Sequence, residues 1–170
     1  MGWLMKNLSL LILLVLLTPS LCFGQGHEGH AAGKSDTGVA GLSPELRKLF
    51  SEEMRQLQNG MTQILPLYVA GGWDEIANIA SQMEDSYVLK QNLSAAQMDE
   101  LHARLPPGFI ELDQQFHYLA GMLEHAAKVE KAELVGFYFS KMNEACVNCH
   151  SRYATNRFPA LAPEAKTHAH

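Results

Sequence analysis

Residues 43–72 read SPELRKLFSE EMRQLQNGMT QILPLYVAGG, and this stretch decides the fold class. Ser43-Pro44-Glu45 is a helix start, because serine caps an amino end, proline fits the first turn and acid favours the positive end of the helix dipole. Apolar residues then recur in steps of four and three: Leu46, Phe50, Met54, Leu57, Met61, Ile64 and Tyr68. This spacing places them on one face of a helix. Pro66 is expected to bend or end it, and Gly71-Gly72 to stop it.

Two further helices are predicted before residue 129. The second begins at about Trp73, and its apolar stripe is Trp73, Ile76, Ala80, Met83 and Tyr87. Ser94 to His102 resembles a short extra helix capped by Ser94, and Leu105-Pro106-Pro107-Gly108 is a firm break. The third helix carries Phe109, Leu112, Phe116, Leu119, Leu123 and Ala126.

The third stripe cannot continue, because its phase would place Glu130 and Glu133 in the core. A turn is therefore predicted near Val129–Lys131. The fourth helix carries Val135, Tyr138, Met142, Ala145, Cys149 and Tyr153. Four stripes with short connections predict an all-α protein, an up-down-up-down four-helix bundle.

The chain ends differ in composition from the helical part. Residues 1–24 combine Lys6, an apolar run from Leu8 to Leu17 and small residues before Gln25, so a cleaved secretory signal peptide is expected. An uncleaved membrane anchor is the alternative, but the run is short for a span. We expect a flexible His/Gly-rich leader over 25–42, a folded domain over 43–158 and a tail over 159–170.

Composition and charge limit the classes of function. The chain of 170 residues is 47% hydrophobic and 18% charged, which suits one globular domain with a real core. The formal net charge is −5, and no cluster of Lys and Arg forms a basic patch. Nucleic acid is therefore not an expected partner.

The chemistry is expected in Cys146-Val147-Asn148-Cys149-His150, which has the haem c attachment pattern C-x-x-C-H. Residues three and four apart share a helix face, so Cys146, Cys149 and His150 should project together. Two thioether bonds would hold one covalent haem, and His150 would be the proximal iron ligand. Its second ring nitrogen would donate to a carbonyl or to water.

The cysteine pair could also belong to a redox site or to a zinc site. A C-x-x-C redox pair usually lies in a βαβ setting, which this helical pattern lacks. A zinc site needs further ligands at matching spacing, and the chain has no second cysteine pair. The third cysteine, Cys22, would leave with the signal peptide.

The motif, late in the last helix of an exported helical bundle, resembles the cytochrome c′ family, including its low-spin, Met/His-ligated relatives. The resemblance covers about residues 43–155 and includes the first-helix pattern from Met54 to Met61. One departure is Ala154, which stands where the family often has an arginine. Arg152 and Arg157 are the candidates to replace its contact near the haem. The resemblance also implies a homodimer.

Met54 is the candidate for the distal, sixth iron ligand. In an up-down-up-down bundle, His150 should lie opposite the amino-terminal half of the first helix. Among the inward residues there, Met54 alone has an atom that binds iron, and the position matches the methionine of the low-spin relatives. The alternative is that Met54 only packs the core, while Leu46 or Phe50 shields a five-coordinate iron.

Other polar and aromatic residues are assigned ordinary roles. His27 and His30 in the leader could bind copper or nickel, but a solvated leader is the favoured interpretation. The histidines at 102, 117 and 125 are expected on helix surfaces or with satisfied hydrogen bonds. Glu53 and Arg55 are expected in solvent. The aromatic residues 137–139 are expected to pack the bundle or the haem edge.

These features predict an exported, periplasmic electron carrier that exchanges electrons with redox partner proteins. The first alternative is a haem protein that binds a diatomic gas, nitric oxide or carbon monoxide, at an open iron position. The second is a small haem sensor or a metal-handling module that uses the leader. No further acid, base or nucleophile constellation accompanies the motif, so an enzyme is not expected. No membrane span should remain after cleavage.

Overall fold

The structure of the chain is a computed structural model that describes residues 38–162. Within that range there are six α-helices and no β-strand, so the all-α prediction is confirmed. The helices are α1 (Pro44–Ala70), α2 (Trp73–Glu84), α3 (Leu89–Asn92), α4 (Ala95–Arg104), α5 (Pro107–Lys128) and α6 (Ala132–Tyr153). Among residues 38–162, no helix has the combined length and apolar character of a membrane span.

Helix α1 begins and ends where its sequence predicts. The Ser43 hydroxyl accepts a hydrogen bond from the Leu46 amide, and Pro44 occupies the first helical position. The helix does not end at Pro66 but continues to Ala70, so Pro66 is an interior residue of a helix of 27 residues. Gly71 then closes it in the left-handed conformation, at φ 71°, which a residue without a side chain adopts at no steric cost.

The later helix ends also follow local sequence. Ser94 and Gln97 form a reciprocal capping box at the start of α4. The predicted turn after α5 is confirmed, because Val129 caps α5, Glu130 takes a positive φ of 53° and Lys131 precedes α6. The short helix α3 was not predicted.

Helix α5 packs most extensively against α2 and then against α6. Helix α1 packs against α2 and more sparsely against α6. A close approach between α1 and α2 depends on Gly60. A methyl group at that position would meet the Met83 methyl carbon and lie 2.8 Å from the Tyr87 hydroxyl. A side chain at position 60 would therefore require the ends of the Met83 and Tyr87 side chains to move.

The buried side chains form two separate clusters. The large cluster, contributed by α1, α2, α5 and α6, is Leu57, Ile64, Ile76, Ala77, Ala80, Met83, Phe116, Ala120, Leu123, Ala126, Ala127, Val135 and Met142. The small cluster is Leu42, Leu46, Phe50, Leu101, Leu105 and Phe109. Most of these residues lie on the predicted inward stripes, as burial of the apolar helix faces requires.

The folded part extends slightly beyond the expected limits of 43 and 158. Val39–Gly41 forms a 3-10 turn, the Gly38 amide donates to the Arg104 carbonyl over 2.7 Å, and Leu42 is buried in the small cluster. The last five residues assigned to the leader are therefore held against the α4–α5 break. A second 3-10 turn spans Pro159–Leu161. The predicted signal peptide, residues 25–37 of the leader and the tail from 163 lie outside the described residues.

Candidate functional site

The motif occupies the carboxyl-terminal end of α6. Cys146, Cys149 and His150 lie within this helix, which ends at Tyr153, and all three are partly buried. Positions three and four apart fall on one helix face, so the two sulfur atoms and the imidazole share a side of α6. Both cysteines are free thiols. Val147, between them, is exposed.

The surroundings of the two thiols favour their neutral form. Burial raises the pKa of the Cys146 thiol. For Cys149, burial and then the negative charges of Asp113 and Cys146 raise the pKa to about 11, against the opposing charge of Arg152. Both environments therefore disfavour the thiolate. Within residues 38–162, no group of three or more His, Cys, Asp and Glu side chains is arranged to hold a metal ion.

The His150 ring is held by stacking. Its centroid lies 4.4 Å from that of Phe158, and the two planes differ by 17°. Within residues 38–162, neither ring nitrogen of His150 makes a hydrogen bond, so the carbonyl partner expected from the sequence is not found in that range. Burial and the charge of Arg157 lower the pKa of His150, which favours the neutral imidazole that binds metals.

Arg157 lies near the Phe158 ring of this stack. Its guanidinium carbon is 5.8 Å from the centroid of the Phe158 ring. The charge of Arg152, by contrast, acts on Cys149. Of the two candidates for the arginine missing at Ala154, Arg157 is therefore the one whose charge reaches His150.

Met54 lies at the boundary between the two clusters. It is partly buried and packs against both of them. Cys146 packs against the large cluster and Cys149 against the small one. Met54 and the two motif cysteines therefore contact the same pair of clusters.

A chain of aromatic rings joins the same two helix segments. The Phe50 and Phe109 rings are 5.8 Å apart, and Phe109 meets Tyr153 edge to face at 5.3 Å. Phe50 is one turn before Met54, and Tyr153 is three residues after His150. The amino-terminal half of α1 therefore lies at the same end of the fold as the carboxyl-terminal end of α6, as an antiparallel arrangement requires.

The prediction that Glu53 lies in solvent is wrong. Its side chain is 1% exposed, and its carboxylate accepts backbone hydrogen bonds from three consecutive residues. The Tyr87 amide donates over 3.1 Å, the Val88 amide over 2.6 Å and the Leu89 amide over 3.1 Å. These amides lie 34 to 36 residues further along the chain, so no local sequence signal marks them. Glu53 anchors the α2–α3 turn beside the candidate ligand on α1.

The remaining predictions divide between surface and core. Arg55 is exposed and bonds to Glu52, as expected for a solvated pair. His117 is satisfied, with Nδ1 2.6 Å from the Met83 carbonyl, whereas His102 and His125 are exposed. Among the aromatic residues 137–139, the first is 52% exposed and the other two pack against the large cluster. The leader and tail histidines lie outside residues 38–162.

Two shallow surface grooves were found. One, of about 680 Å³, lies at the α4–α5 break and is lined by residues 102–107, 110 and 111. The other, of about 630 Å³, runs between α5 and α6 and includes Val147, Asn148 and Ser151 on the outer side of the motif. The inward side of the motif faces the clusters instead.

The side chains at the cluster boundary fit the requirements of haem c. Two thiols and the imidazole at the next position share a helix face, the thiols pack against the two apolar clusters, and the Met54 thioether packs against both clusters. The apolar side chains packed against the two thiols suit a mostly apolar group. Comparisons with models of known protein families, with curated proteins and with solved structures found no match to this chain.

Proposed function

We propose that the protein is an exported c-type cytochrome that carries one covalent haem and transfers electrons between partner proteins. Cys146 and Cys149 would hold the haem through thioether bonds, His150 would be the proximal ligand, and Met54 the distal one. The observation that carries this proposal is the shared helix face of Cys146, Cys149 and His150, whose two thiols pack against the same two apolar clusters that Met54 contacts.

Each residue would have a distinct task in this site. Bound haem supplies an iron that alternates between two oxidation states. His150 offers a neutral nitrogen, and the Met54 thioether favours the reduced iron and so raises the reduction potential. Phe50 and Leu57, buried on the same face of α1, would exclude water beside Met54.

The helix order supports assignment to the fold of the cytochrome c′ family. Helices α1, α2, α5 and α6 would be the four members of an up-down-up-down bundle, with α3 and α4 as part of the long connection between the second and third members. The neighbour relations α1–α2, α2–α5, α5–α6 and α6–α1 are those of such a bundle. Periplasmic location and a homodimer belong to the same proposal.

Haem staining of the exported protein after denaturing electrophoresis tests the attachment. The wild-type protein, expressed with haem-attachment machinery, should stain. The double variant Cys146→Ala, Cys149→Ala should not, because no thioether would survive denaturation. A matched control is Ser140→Ala, an exposed position of the same helix, which should stain as the wild type does. An unstained wild-type protein would refute the proposal.

Gas binding at an open iron position is the second candidate function. Leu46 is fully buried and Phe50 nearly so, and either could cover a five-coordinate iron without binding it. Absorption spectra of both oxidation states, with and without carbon monoxide, separate the two candidates. An electron carrier with Met54 bound should be low-spin and unreactive to carbon monoxide, whereas a gas-binding protein should be high-spin and reactive.

A further inference from the structure

The segment after α6 folds back onto the motif. The Ala154 amide donates to the His150 carbonyl over 3.0 Å, and the amides of Arg157 and Phe158 both donate to the Ala154 carbonyl over 2.9 Å. The Leu161 amide in turn donates to the Phe158 carbonyl over 3.0 Å. Backbone hydrogen bonds therefore hold Phe158 on both sides, eight residues beyond the histidine.

The Phe158 ring lies flat on the face of the His150 imidazole, with centroids 4.4 Å apart and planes 17° from parallel. A metal bond to an imidazole lies in the plane of the ring, whereas a stacked ring covers its face. The two contacts therefore do not compete. Ligand histidines usually owe their orientation to a hydrogen bond from the other ring nitrogen, and no such bond is present within residues 38–162.

We propose that Phe158 is a positioning residue of the proximal side: its ring, held by the fold-back after α6, fixes the plane of the His150 imidazole and shields one face from water. The inference rests on the proposed function, in which His150 binds the haem iron. It adds to the proposed haem site a residue outside the C-x-x-C-H pattern. It also gives the Pro159–Leu161 turn a role, because a backbone hydrogen bond of that turn holds Phe158.

The shielding has a predictable electrostatic consequence. Water near an axial ligand stabilises the more highly charged, oxidised iron and lowers the reduction potential. Removal of the flat ring should therefore free the imidazole to adopt several orientations and shift the potential downward. A purely structural role for Phe158 would alter unfolding without either change.

The test compares three variants of the haem-loaded full chain by electron paramagnetic resonance of the ferric state and by redox titration. Phe158→Leu keeps apolar bulk but loses the flat ring, Phe158→Ala loses both, and Phe158→Tyr keeps the ring. The matched control is Phe137→Leu, the same substitution at a half-exposed ring of α6. Haem staining of each protein is recorded first.

One narrow set of g-values and similar reduction potentials are expected for the wild type, Phe158→Tyr and Phe137→Leu. Phe158→Leu and Phe158→Ala should give a broadened or split set and lower potentials. The inference is overturned if Phe158→Leu retains the narrow set, or if Phe158→Tyr broadens as much as Phe158→Leu. If the wild type does not stain for haem, the proposed function fails and the inference fails with it. If the wild type stains but Phe158→Leu keeps the wild-type g-values and potential, the inference alone is refuted.

Discussion

The backbone amide of Val88 donates to the buried carboxylate of Glu53 over 2.6 Å, and this bond ties the α2–α3 turn to the middle of α1. Tyr87 and Leu89 donate to the same carboxylate. Burial, and then the negative charge of Glu53, raise the pKa of Tyr87. The turn is unusual in having Ser86 buried with a positive φ of 59°, and its hydroxyl accepts from the Leu89 amide.

Glu53→Gln should lower the free energy of unfolding by about 1–3 kcal/mol, the typical cost of an unsatisfied buried polar group. The glutamine amide would present a donor toward one of the three backbone donors. Chemical denaturation followed by circular dichroism measures the change. The control is Glu52→Gln, which removes an exposed carboxylate paired with Arg55 and should leave stability almost unchanged. Equal effects of the two variants would contradict the assigned role of Glu53.

Met54→Leu should convert a low-spin spectrum to a high-spin one and open the iron to carbon monoxide, because leucine fills the space but has no donor atom. Absorption spectra with and without carbon monoxide report both changes. Met61→Leu is the matched control, since Met61 lies on the same helix and packs against the large cluster. A wild type that is already high-spin, or a Met54→Leu spectrum that stays low-spin, would show that Met54 is not the ligand.

His117 should make stability depend on pH. Its burial and the charge of Lys90 oppose the imidazolium, but the hydrogen bond and charge of Asp113, with the Met83 carbonyl, outweigh them and raise the pKa. A raised folded-state pKa means that the contribution to stability is complete below the unfolded value of about 6.5 and is lost as pH rises through the folded value.

Asp113→Asn should therefore reduce the loss of stability seen between slightly acid and slightly alkaline pH. Unfolding free energies measured across that range give the slope. Replacement of the exposed His125 on the same helix by Gln should leave the slope unchanged. A steeper fall with pH in Asp113→Asn than in the wild type would contradict the assigned ion pair.

Gly60→Ala should destabilise the fold by about 1–3 kcal/mol, the usual cost of overpacking a core. The added methyl group would meet the end of the buried Met83 side chain and the Tyr87 hydroxyl, so both side chains would have to move. Gln58→Ala, an exposed change two residues earlier, should have an effect below about 0.5 kcal/mol. Thermal unfolding compares the two, and an unaffected Gly60→Ala would show that the helices tolerate a wider spacing.

Local signals predicted much of the fold. The Ser43 and Ser94 caps and the break at Leu105–Gly108 each depend on a few neighbouring residues. The turn at Val129–Lys131 follows from the phase of the apolar stripe of α5, and all of these features are found. Pro66 was expected to bend or end α1, and the helix continues through it. A proline removes only one helix hydrogen bond, and packing of Leu67 and Tyr68 against the large cluster favours the helical form of the segment beyond it.

Some residues of the candidate site are likewise predictable from the sequence, and others are not. The motif cysteines and His150 follow from spacing alone, and Met54 follows from helix direction. The contacts of Glu53 and Phe158 could not be predicted in this way. They depend on a segment that is distant in the sequence and on a segment that folds back onto the motif. A glutamate among charged neighbours resembles a solvated residue in sequence, and the stacking of Phe158 on His150 depends on the turn at Ala154.

The small cluster joins segments from both ends of the folded part, and this has a consequence for the order of assembly. Val39 and Leu42 precede α1, whereas Cys149 and Tyr153, which pack on the same cluster, are among the last helical residues to be synthesised. Contacts that close such long loops form late in folding, because the chain loses conformational entropy before the contacts stabilise it. We therefore expect Cys149 to stay accessible for a time after the whole chain has emerged, which leaves a window in which a modifying enzyme can act before the cluster packs against the sulfur.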